Sequence, residues 1–218
     1  MLPTRHTPAF ITFTGVDRVE LIPGMQALAA RYPIEWGVLI ESDREGQSRF
    51  PATDVRRAIQ CAGLRLSVHI CGHEAREIAA GKTPPLDLSG FARMQINHSF
   101  NGSSKAEIQN CHTFAARHGM RAALQCQHDF PSDSQVDWLY DVSFGTGVQP
   151  KIWPQINIDH PLCGYSGGFS ADNLASIVPT FPVHPGVVYW IDMESGVRTD
   201  DTFDLDKCAA ICQQVFDR

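Results

Sequence analysis

The chain has 218 residues, of which 43% are hydrophobic and 19% are charged, and its formal net charge is −6. This composition excludes a disordered segment, a collagen-like repeat and a coiled coil. The length is that of one α/β barrel, so we expect a single domain over residues 1–218.

Charge and hydropathy also indicate which classes of partner to expect. The 18 basic residues include only four lysines and form no basic stripe, so we expect no nucleic-acid partner. No apolar run reaches the roughly 18–20 residues that span a bilayer, and residues 1–8 lack the apolar core of a signal peptide. The seven cysteines include no CxxC pair, which is typical of reduced thiols. We therefore expect a cytoplasmic protein with no membrane partner.

Strand-like runs alternate with helix-like stretches along the chain. The strand candidates are, in order, residues 9–14, 35–40, 66–71, 93–97, 121–127, 137–142, a short run ending at Tyr165, and 187–192. The helix candidates are residues 21–32, 53–61, 74–80, 104–118, 171–178 and 205–216. The connections after the fifth and sixth strand candidates have little helical pattern.

Local signals mark three helix boundaries. Thr53 is placed to cap the helix at 53–61. Ser104 and Glu107 have the spacing of a capping box, and Gly119 is placed to end the helix that they begin.

This alternation predicts the fold class. Strands that alternate with helices imply βαβ crossovers and a parallel sheet. Close to eight β/α units in a chain of this length are typical of a small TIM (β/α)₈ barrel, which is our prediction. A doubly wound open sheet is the competing arrangement.

Two late junctions are rich in glycine. They are residues 165–170 (YSGGFS) and 192–197 (DMESGV). Glycine lets the backbone approach a ligand closely, and N–H groups beside a helix N-terminus favour an anion. The loops after the seventh and eighth strands are a frequent phosphate site in such barrels. We therefore predict a phosphate pocket there, although a glycine pair is more often only a turn.

Several segments, taken in order, resemble phosphoribosylanthranilate isomerase over nearly the whole length. The similar segments are 13–18 (FTGVDR, family KICGLTR), 48–50 (SRF), 94–97 (MQIN, family VQLH), 140–153 (YDVSFGTGVQPKIW, family LDxxxGGSGxxFDW), 165–174 (YSGGFSADNL, family LSGGLxPENV) and 191–197 (IDMESGV, family VDVSSGVE). Each segment is short, and it is their order that carries the resemblance.

The resemblance implies an isomerase of tryptophan biosynthesis that needs no cofactor. The family performs an Amadori rearrangement, in which an aminoaldose phosphate becomes an aminoketose phosphate. A carboxylic acid protonates the ring oxygen, the sugar opens to an iminium, and a base removes the C2 proton. The resemblance places the acid at Asp141, at the end of a strand, where desolvation raises a carboxyl pKa. The implied partner is a phosphorylated small molecule, and we expect a monomer or a homodimer.

The resemblance also implies the ligand contacts. The resemblance places a contact with the substrate's aromatic carboxylate at Arg49, whose planar guanidinium offers two parallel donors. The alternative, with equal weight, is a surface arginine whose stem covers apolar area. The other implied substrate contacts are Gln95, Asn97, Gly145 and Gly147. The implied phosphate contacts are Ser166, Gly167, Gly168, Glu194, Ser195 and Gly196.

The chain departs from the family at the base. The family's catalytic Cys is replaced by Thr14, and the Lys before it by Thr12. A threonine hydroxyl is a far poorer base than a thiol, so the usual chemistry should be lost or rerouted through another residue. Val148 stands where the family has a Lys, and Asn97 where it has a His.

Cys71 is the best substitute nucleophile or base. It is expected to share one face of the third strand with His69 and His73. The alternative is that Cys71 is a small packing residue. Weaker candidates for the base are Asp17, Glu41 and His98. The spacing H-x-C-x-H contains zinc-ligand types, but ligands two residues apart on a strand rarely converge on one ion, so we expect no metal and no cofactor.

The remaining notable residues have structural interpretations. Asp192 and Glu194 are expected as loop carboxylates that turn outward. The expected packing residues are Trp36, Trp138, Trp190, Cys61, Cys111 and Cys208. Three functions stay open: an isomerase with Asp141 as acid, a divergent barrel that keeps the phosphate site but runs a different acid–base or metal-assisted reaction, and a non-catalytic binder of a phosphorylated metabolite.

Overall fold

Eight parallel strands close into a barrel in a computed structural model that describes residues 7–99, 102–143 and 147–217. Each strand pairs with the next along the chain, and the eighth pairs with the first. The strands are β1 (Phe10–Thr14), β2 (Ile34–Ile40), β3 (Leu66–Ile70), β4 (Arg93–Ile96), β5 (Ala122–Cys126), β6 (Asp137–Tyr140), β7 (Cys163–Tyr165) and β8 (Tyr189–Met193). The closed barrel confirms the predicted TIM (β/α)₈ fold and excludes the open sheet.

The outer layer of helices is incomplete. The α-helices are α1 (Ile22–Ala29), α2 (Thr53–Gln60), α3 (Gly72–Ala79), α4 (Lys105–Arg117), α5 (Leu174–Ile177) and α6 (Leu205–Phe216). In the described residues that follow β5 and β6 there is no α-helix, and the connection after β6 contains Pro150, Pro154 and Pro161, which cannot donate to a helix ladder. The predicted helix at 171–178 is shorter than expected, because residues 171–173 form a turn and a 3₁₀ turn at Val178–Thr180 follows α5.

None of the helices in the described part of the chain has the length and apolar character that crossing a membrane requires.

The capping predictions hold at one helix and fail at another. Ser104 and Glu107 form the predicted capping box, with the Ser104 N–H donating to the Glu107 carboxylate at 2.7 Å, and Gly119 ends this segment in the left-handed region at φ +69°. The prediction that Thr53 caps α2 is wrong, because Ala52 is the N-cap and Thr53 is the first helical residue. Glu45 supplies the missing acceptor, since the N–H of Thr53 donates to its carboxylate at 2.9 Å.

Apolar side chains pack on both sides of the sheet. Between strands and helices lies an apolar core that includes Trp36 and Trp138, both buried as predicted. Inside the barrel, Trp190 packs in a small apolar cluster with Phe10. Cys111 and Cys208 are buried as expected, and all of the predicted packing residues are therefore confirmed except one. Cys61 is exposed, because α2 ends at Gln60 and its cap residue faces solvent.

An ionic cluster closes the barrel at the N-terminal end of the strands. Glu35 has 0% exposure, and its carboxylate accepts hydrogen bonds from Thr12 at 3.0 Å, Arg65 at 3.0 Å and Arg93 at 2.8 Å. The Arg93 guanidinium also lies 4.3 Å from the ring centroid of Trp190. A buried carboxylate needs such partners to offset its desolvation. This cluster therefore fills the floor of the barrel among the described residues.

Candidate functional site

A cavity of about 480 Å³ opens at the C-terminal ends of the strands. Most of the sequence-predicted site residues line this one cavity. They are Arg49, Cys71, Gln95, Asn97, Asp141, Ser166, Gly167, Gly168, Glu194 and Ser195. Gly147 and Gly196 pack against the loops of this cavity, whereas Gly145 lies outside the described residues.

Three loops meet on one side of the cavity, and glycine makes their close approach possible. A Cβ on Gly168 would lie 2.7 Å from the carbonyl oxygen of Gly147, and one on Gly147 would lie 2.8 Å from the hydroxyl of Ser195. A Cβ on Gly196 would overlap the carbonyl oxygen of Phe169. Gly147 and Gly168 also lie in the left-handed region that favours glycine, at φ +73° and +64°. The loops after β6, β7 and β8 are therefore in direct contact.

These loops carry unused backbone donors. Within the described part of the chain, the N–H groups of Gly167, Gly168, Ser195 and Gly196 form no hydrogen bond to protein. Ser166 differs, since its N–H donates to the carbonyl oxygen of Tyr140 at 2.8 Å. Clustered backbone N–H groups of this kind form a concave site for an anion.

Two aspartates lie below these loops and line the cavity. Asp141, which follows β6, accepts hydrogen bonds from the N–H and hydroxyl of Ser143, both at 2.8 Å, and from the Gln125 amide at 3.1 Å. Asp192, on β8, accepts a hydrogen bond from the Thr14 hydroxyl at 2.6 Å. Burial raises the pKa of Asp192 to about 8, with a smaller contribution from the negative charge of Glu194.

The outward orientation expected for Asp192 and Glu194 is wrong. Both side chains turn into the barrel mouth, and Asp192 is only 6% exposed. Strand parity was the signal available in the sequence, because Asp192 and Glu194 follow the inward-facing Trp190 at intervals of two residues.

Thr14 faces Asp192 rather than the cavity. It is 1% exposed and does not line the cavity. Its hydroxyl lies against Gly37 of β2, where any Cβ would overlap it. The missing side chain at Gly37 thus provides the space in which Thr14 reaches Asp192.

Only two of the three residues predicted on one face of β3 reach the cavity. His69 and Cys71 line it, but His73 is exposed on α3, 3.4 Å from Glu77, so the prediction for His73 is wrong. The reason is Gly72, whose φ of +61° turns the chain into α3. In the described residues no group of three or more potential metal ligands is present.

The environment of Cys71 opposes its ionisation. Burial raises the pKa of its thiol to about 12, although the Asn97 amide donates to the sulfur at 3.4 Å. Burial also lowers the pKa of His69 to about 3, so the imidazole is neutral. A thiol with this pKa supplies almost no thiolate at neutral pH, which weakens the case for Cys71 as the base.

The three weaker candidates for the base lie in different places. Glu41 and His98 line the cavity, and the His98 ring is within 2.9 Å of the Ser103 hydroxyl. Asp17 is part of a structural network, because its carboxylate accepts from Arg198 at 2.7 Å and from the N–H of Arg49 at 3.1 Å.

Arg49 lines the cavity with its donors already engaged. Its guanidinium pairs with Glu194 at 2.7 Å and Asp201 at 2.8 Å. Sequence reasoning missed two other arginines, Arg44 and Arg76, which line the opposite wall and form no ion pair with described residues. The Arg44 guanidinium stacks 4.0 Å from the ring centroid of Phe50, which orients it.

Three solved structures share the fold of this chain. Phosphoribosylanthranilate isomerase from Pyrococcus furiosus is 15% identical with a TM-score of 0.60, and the alignment covers 96% of this chain and 99% of that one. Monomers of the dimeric phosphoribosylanthranilate isomerase from Thermotoga maritima are 13% identical with a TM-score of 0.60, covering 96% and 100%. KGPDC from Streptococcus mutans is 10% identical with a TM-score of 0.51, covering 96% and 98%.

No protein-family model and no curated protein sequence matches the chain. Similarity at these identities shows the fold alone. The chain therefore has a (β/α)₈ barrel that is distantly similar to that of the phosphoribosylanthranilate isomerases.

Proposed function

We propose that this barrel binds a phosphorylated, sugar-derived ligand and catalyses an aldose–ketose isomerisation of the Amadori type. One observation carries the proposal: the two cavity-lining aspartates lie near Gly167, Gly168 and Ser195, which line the same cavity, and the neighbouring Gly196, and the N–H groups of these four residues donate to no described protein acceptor. The N–H groups suit a phosphate, and the aspartates suit the transfer of protons to and from the attached sugar.

The phosphate end is built without lysine. Of the described residues that line the cavity, none is a lysine, so backbone donors at the loops after β7 and β8 would hold the phosphate. The Glu194 carboxylate in this region would repel an anion, but Arg49 neutralises it at 2.7 Å. Arg49 thereby supports the phosphate site instead of contacting a substrate carboxylate.

The opposite wall suits a second acidic group. Arg44 follows β2 and Arg76 follows β3, and in an eight-stranded barrel these positions lie across from β6 and β7. Their guanidinium groups offer paired donors of the geometry that a carboxylate accepts. A cavity of about 480 Å³ is of the size that holds a small molecule between the two ends.

A second function is favoured by the replacement of the family's Cys with Thr14. A barrel with the same phosphate end can run a different acid–base reaction when its base changes. A binder without catalysis would keep the loops and need no proton transfer.

We also infer a cytoplasmic protein that acts as a monomer or homodimer.

The test is turnover of N-(5′-phosphoribosyl)anthranilate by purified protein, with Asp141→Asn as the matched variant. Turnover by the wild type and its loss in Asp141→Asn support the isomerase, and so does growth of a tryptophan-requiring strain that lacks the enzyme. Phosphate binding without turnover favours the binder or the divergent reaction. A protein that neither binds phosphate nor turns over this substrate would refute the proposal. Stoichiometric metal in elemental analysis would favour a metal-assisted reaction.

A further inference from the structure

The two aspartates of the mouth are held in contrasting ways. Asp141 follows β6 and Asp192 lies on β8, and between these strands Ser166, which follows β7, lines the same cavity. Within the described part of the chain, Asp141 accepts three hydrogen bonds from Ser143 and Gln125. Among described residues, Asp192 has one donor, the Thr14 hydroxyl.

The charges around Asp192 also oppose its ionisation. Burial is the largest cause that raises the pKa of Asp192, and the negative charges of Glu194 after β8, Asp141 after β6 and Glu35 on β2 raise it further. The nearby arginines do not offset this, because Arg49 pairs with Glu194 and Asp201. Arg198, which follows β8, pairs with Asp17 at 2.7 Å, and the two cavity arginines without an ion pair to described residues, Arg44 and Arg76, follow β2 and β3 on the opposite wall.

We propose that Asp192 is the proton donor of this site, that Thr14 is its positioning residue, and that Asp141 is the base. This inference rests on the proposed function. It exchanges the roles that the family resemblance implies, in which Asp141 is the acid and the residue at position 14 is the base. The Thr14 hydroxyl holds Oδ1 of Asp192, which leaves Oδ2 for the proton.

The proton transfers balance. Asp192 gives its proton to the ring oxygen as the C1–O bond breaks, and the amine nitrogen lone pair forms the C1=N bond of an iminium. The Asp141 carboxylate then takes the C2 proton, and the C2–H electrons form the C1=C2 bond while the C1=N pair returns to nitrogen. In the last step the C2 hydroxyl loses its proton and C1 gains one. The sum is an isomerisation with no net oxidation, and one proton returns from Asp141 to Asp192 through solvent or ligand.

The positioning role of Thr14 explains why a Thr can stand where the family has a Cys. The hydroxyl is buried against Gly37 and does not touch the cavity, so it need not act as a base. Its hydrogen bond fixes the rotamer of Asp192 at 2.6 Å. The same arrangement occurs one layer below, where Thr12 donates to Glu35.

The first test does not depend on activity. Infrared difference spectroscopy at neutral pH reports the C=O stretch of a protonated carboxyl group. We expect this band in the wild type and in Asp141→Asn, and its loss in Asp192→Asn. A band that persists in Asp192→Asn and disappears in Asp141→Asn would overturn the assignment. Circular dichroism tests whether each variant is folded. If Asp192→Asn does not fold, Thr14→Val provides a second measurement, because it should shift the band without removing it.

The second test uses turnover. Asp192→Asn should lower kcat by about 100-fold or more while KM changes little, as expected for loss of a general acid. The Thr14 hydroxyl stabilises the charged form of Asp192, so Thr14→Val should move the alkaline limb of the pH profile upward, and Thr14→Ser should leave it in place. A wild-type protein that shows no Amadori turnover refutes the proposed function. The protonation of Asp192 is then still tested separately by the infrared band. A turnover that Asp192→Asn retains refutes the inference and leaves the function intact.

Discussion

Gly196 is the residue at which the phosphate site is most sensitive to one added methyl group. In Gly196→Ala, the new Cβ would overlap the Phe169 carbonyl oxygen and lie 2.8 Å from its carbonyl carbon, whereas ordinary contacts begin at 3.4 Å. The carbon contact alone requires a separation of 3.4 − 2.8 = 0.6 Å between the loops after β7 and β8. Both neighbouring atoms belong to backbone, so no side-chain rotation relieves the overlap. Gly196 does not adopt the left-handed region, so alanine brings no conformational penalty of its own.

The displacement should be visible in phosphate affinity. Hydrogen bonds to charged groups contribute roughly 1.5–3 kcal/mol each, so loss of one donor should weaken inorganic phosphate binding by about tenfold to 100-fold. Isothermal titration at fixed ionic strength measures the affinity, and urea unfolding measures stability separately. Gly63→Ala is the control for a glycine-to-alanine change outside the cavity, because nothing lies within 4 Å of its added Cβ. Its φ of +70° makes alanine strained there, so it should lower stability and leave phosphate affinity unchanged. A folded Gly196→Ala protein that binds phosphate as tightly as the wild type would refute the reasoning.

Four further predictions concern stability, pH and ligand charge. Glu35→Gln leaves Arg65 and Arg93 without their buried partner, so it should lower the free energy of unfolding in urea by about 3–5 kcal/mol. The control Asp87→Asn, which removes an exposed ion pair with Arg57, should change it by less than about 1 kcal/mol. Ser104→Ala removes one half of the capping box of α4 and should cost about 1 kcal/mol, and an unchanged midpoint would contradict that role. The folded-state pKa of Asp192, about 8, is above its ordinary value of 3.8, so the native state holds this proton and wild-type stability should fall between those values by up to about 1.4 kcal/mol per pH unit. Asp192→Asn has no such proton, so its stability relative to the wild type should rise from about pH 5 to about pH 8 in urea unfolding, and parallel profiles would exclude the raised pKa. Arg44→Gln should weaken a ligand that carries both a phosphate and a carboxylate by about tenfold, with inorganic phosphate affinity unchanged in the same titration, and equal losses for both would remove Arg44 from the second end.

The strands and most helices are predictable because their signals are local. Alternating apolar runs define all eight strands to within a few residues, and the capping box of Ser104 and Glu107 forms as its spacing indicates. The predicted N-cap of α2 was wrong because the acceptor for the Thr53 N–H, Glu45, comes from a neighbouring turn rather than from the helix. The position of the loop glycines at the C-terminal end of the barrel was predictable because they follow β7 and β8.

The chemistry of the site was less predictable because it depends on distant contacts. Arg49 has the sequence features of a ligand contact, but its partners Glu194 and Asp201 are 145 and 152 residues away and meet it only when the barrel closes. The inward orientation of Asp192 follows from strand parity, but its raised pKa depends on burial that follows from closure. The exposure of His73 follows from the turn at Gly72, whose left-handed conformation a strand pattern does not reveal.

A crystal structure of the wild-type protein with inorganic phosphate would show whether the glycine loops bind the anion. We expect a phosphate at the mouth, within hydrogen-bond distance of the N–H groups of Gly167, Gly168, Ser195 and Gly196. A phosphate bound only elsewhere, for example at Arg44 and Arg76 with the glycine loops empty, would contradict this expectation.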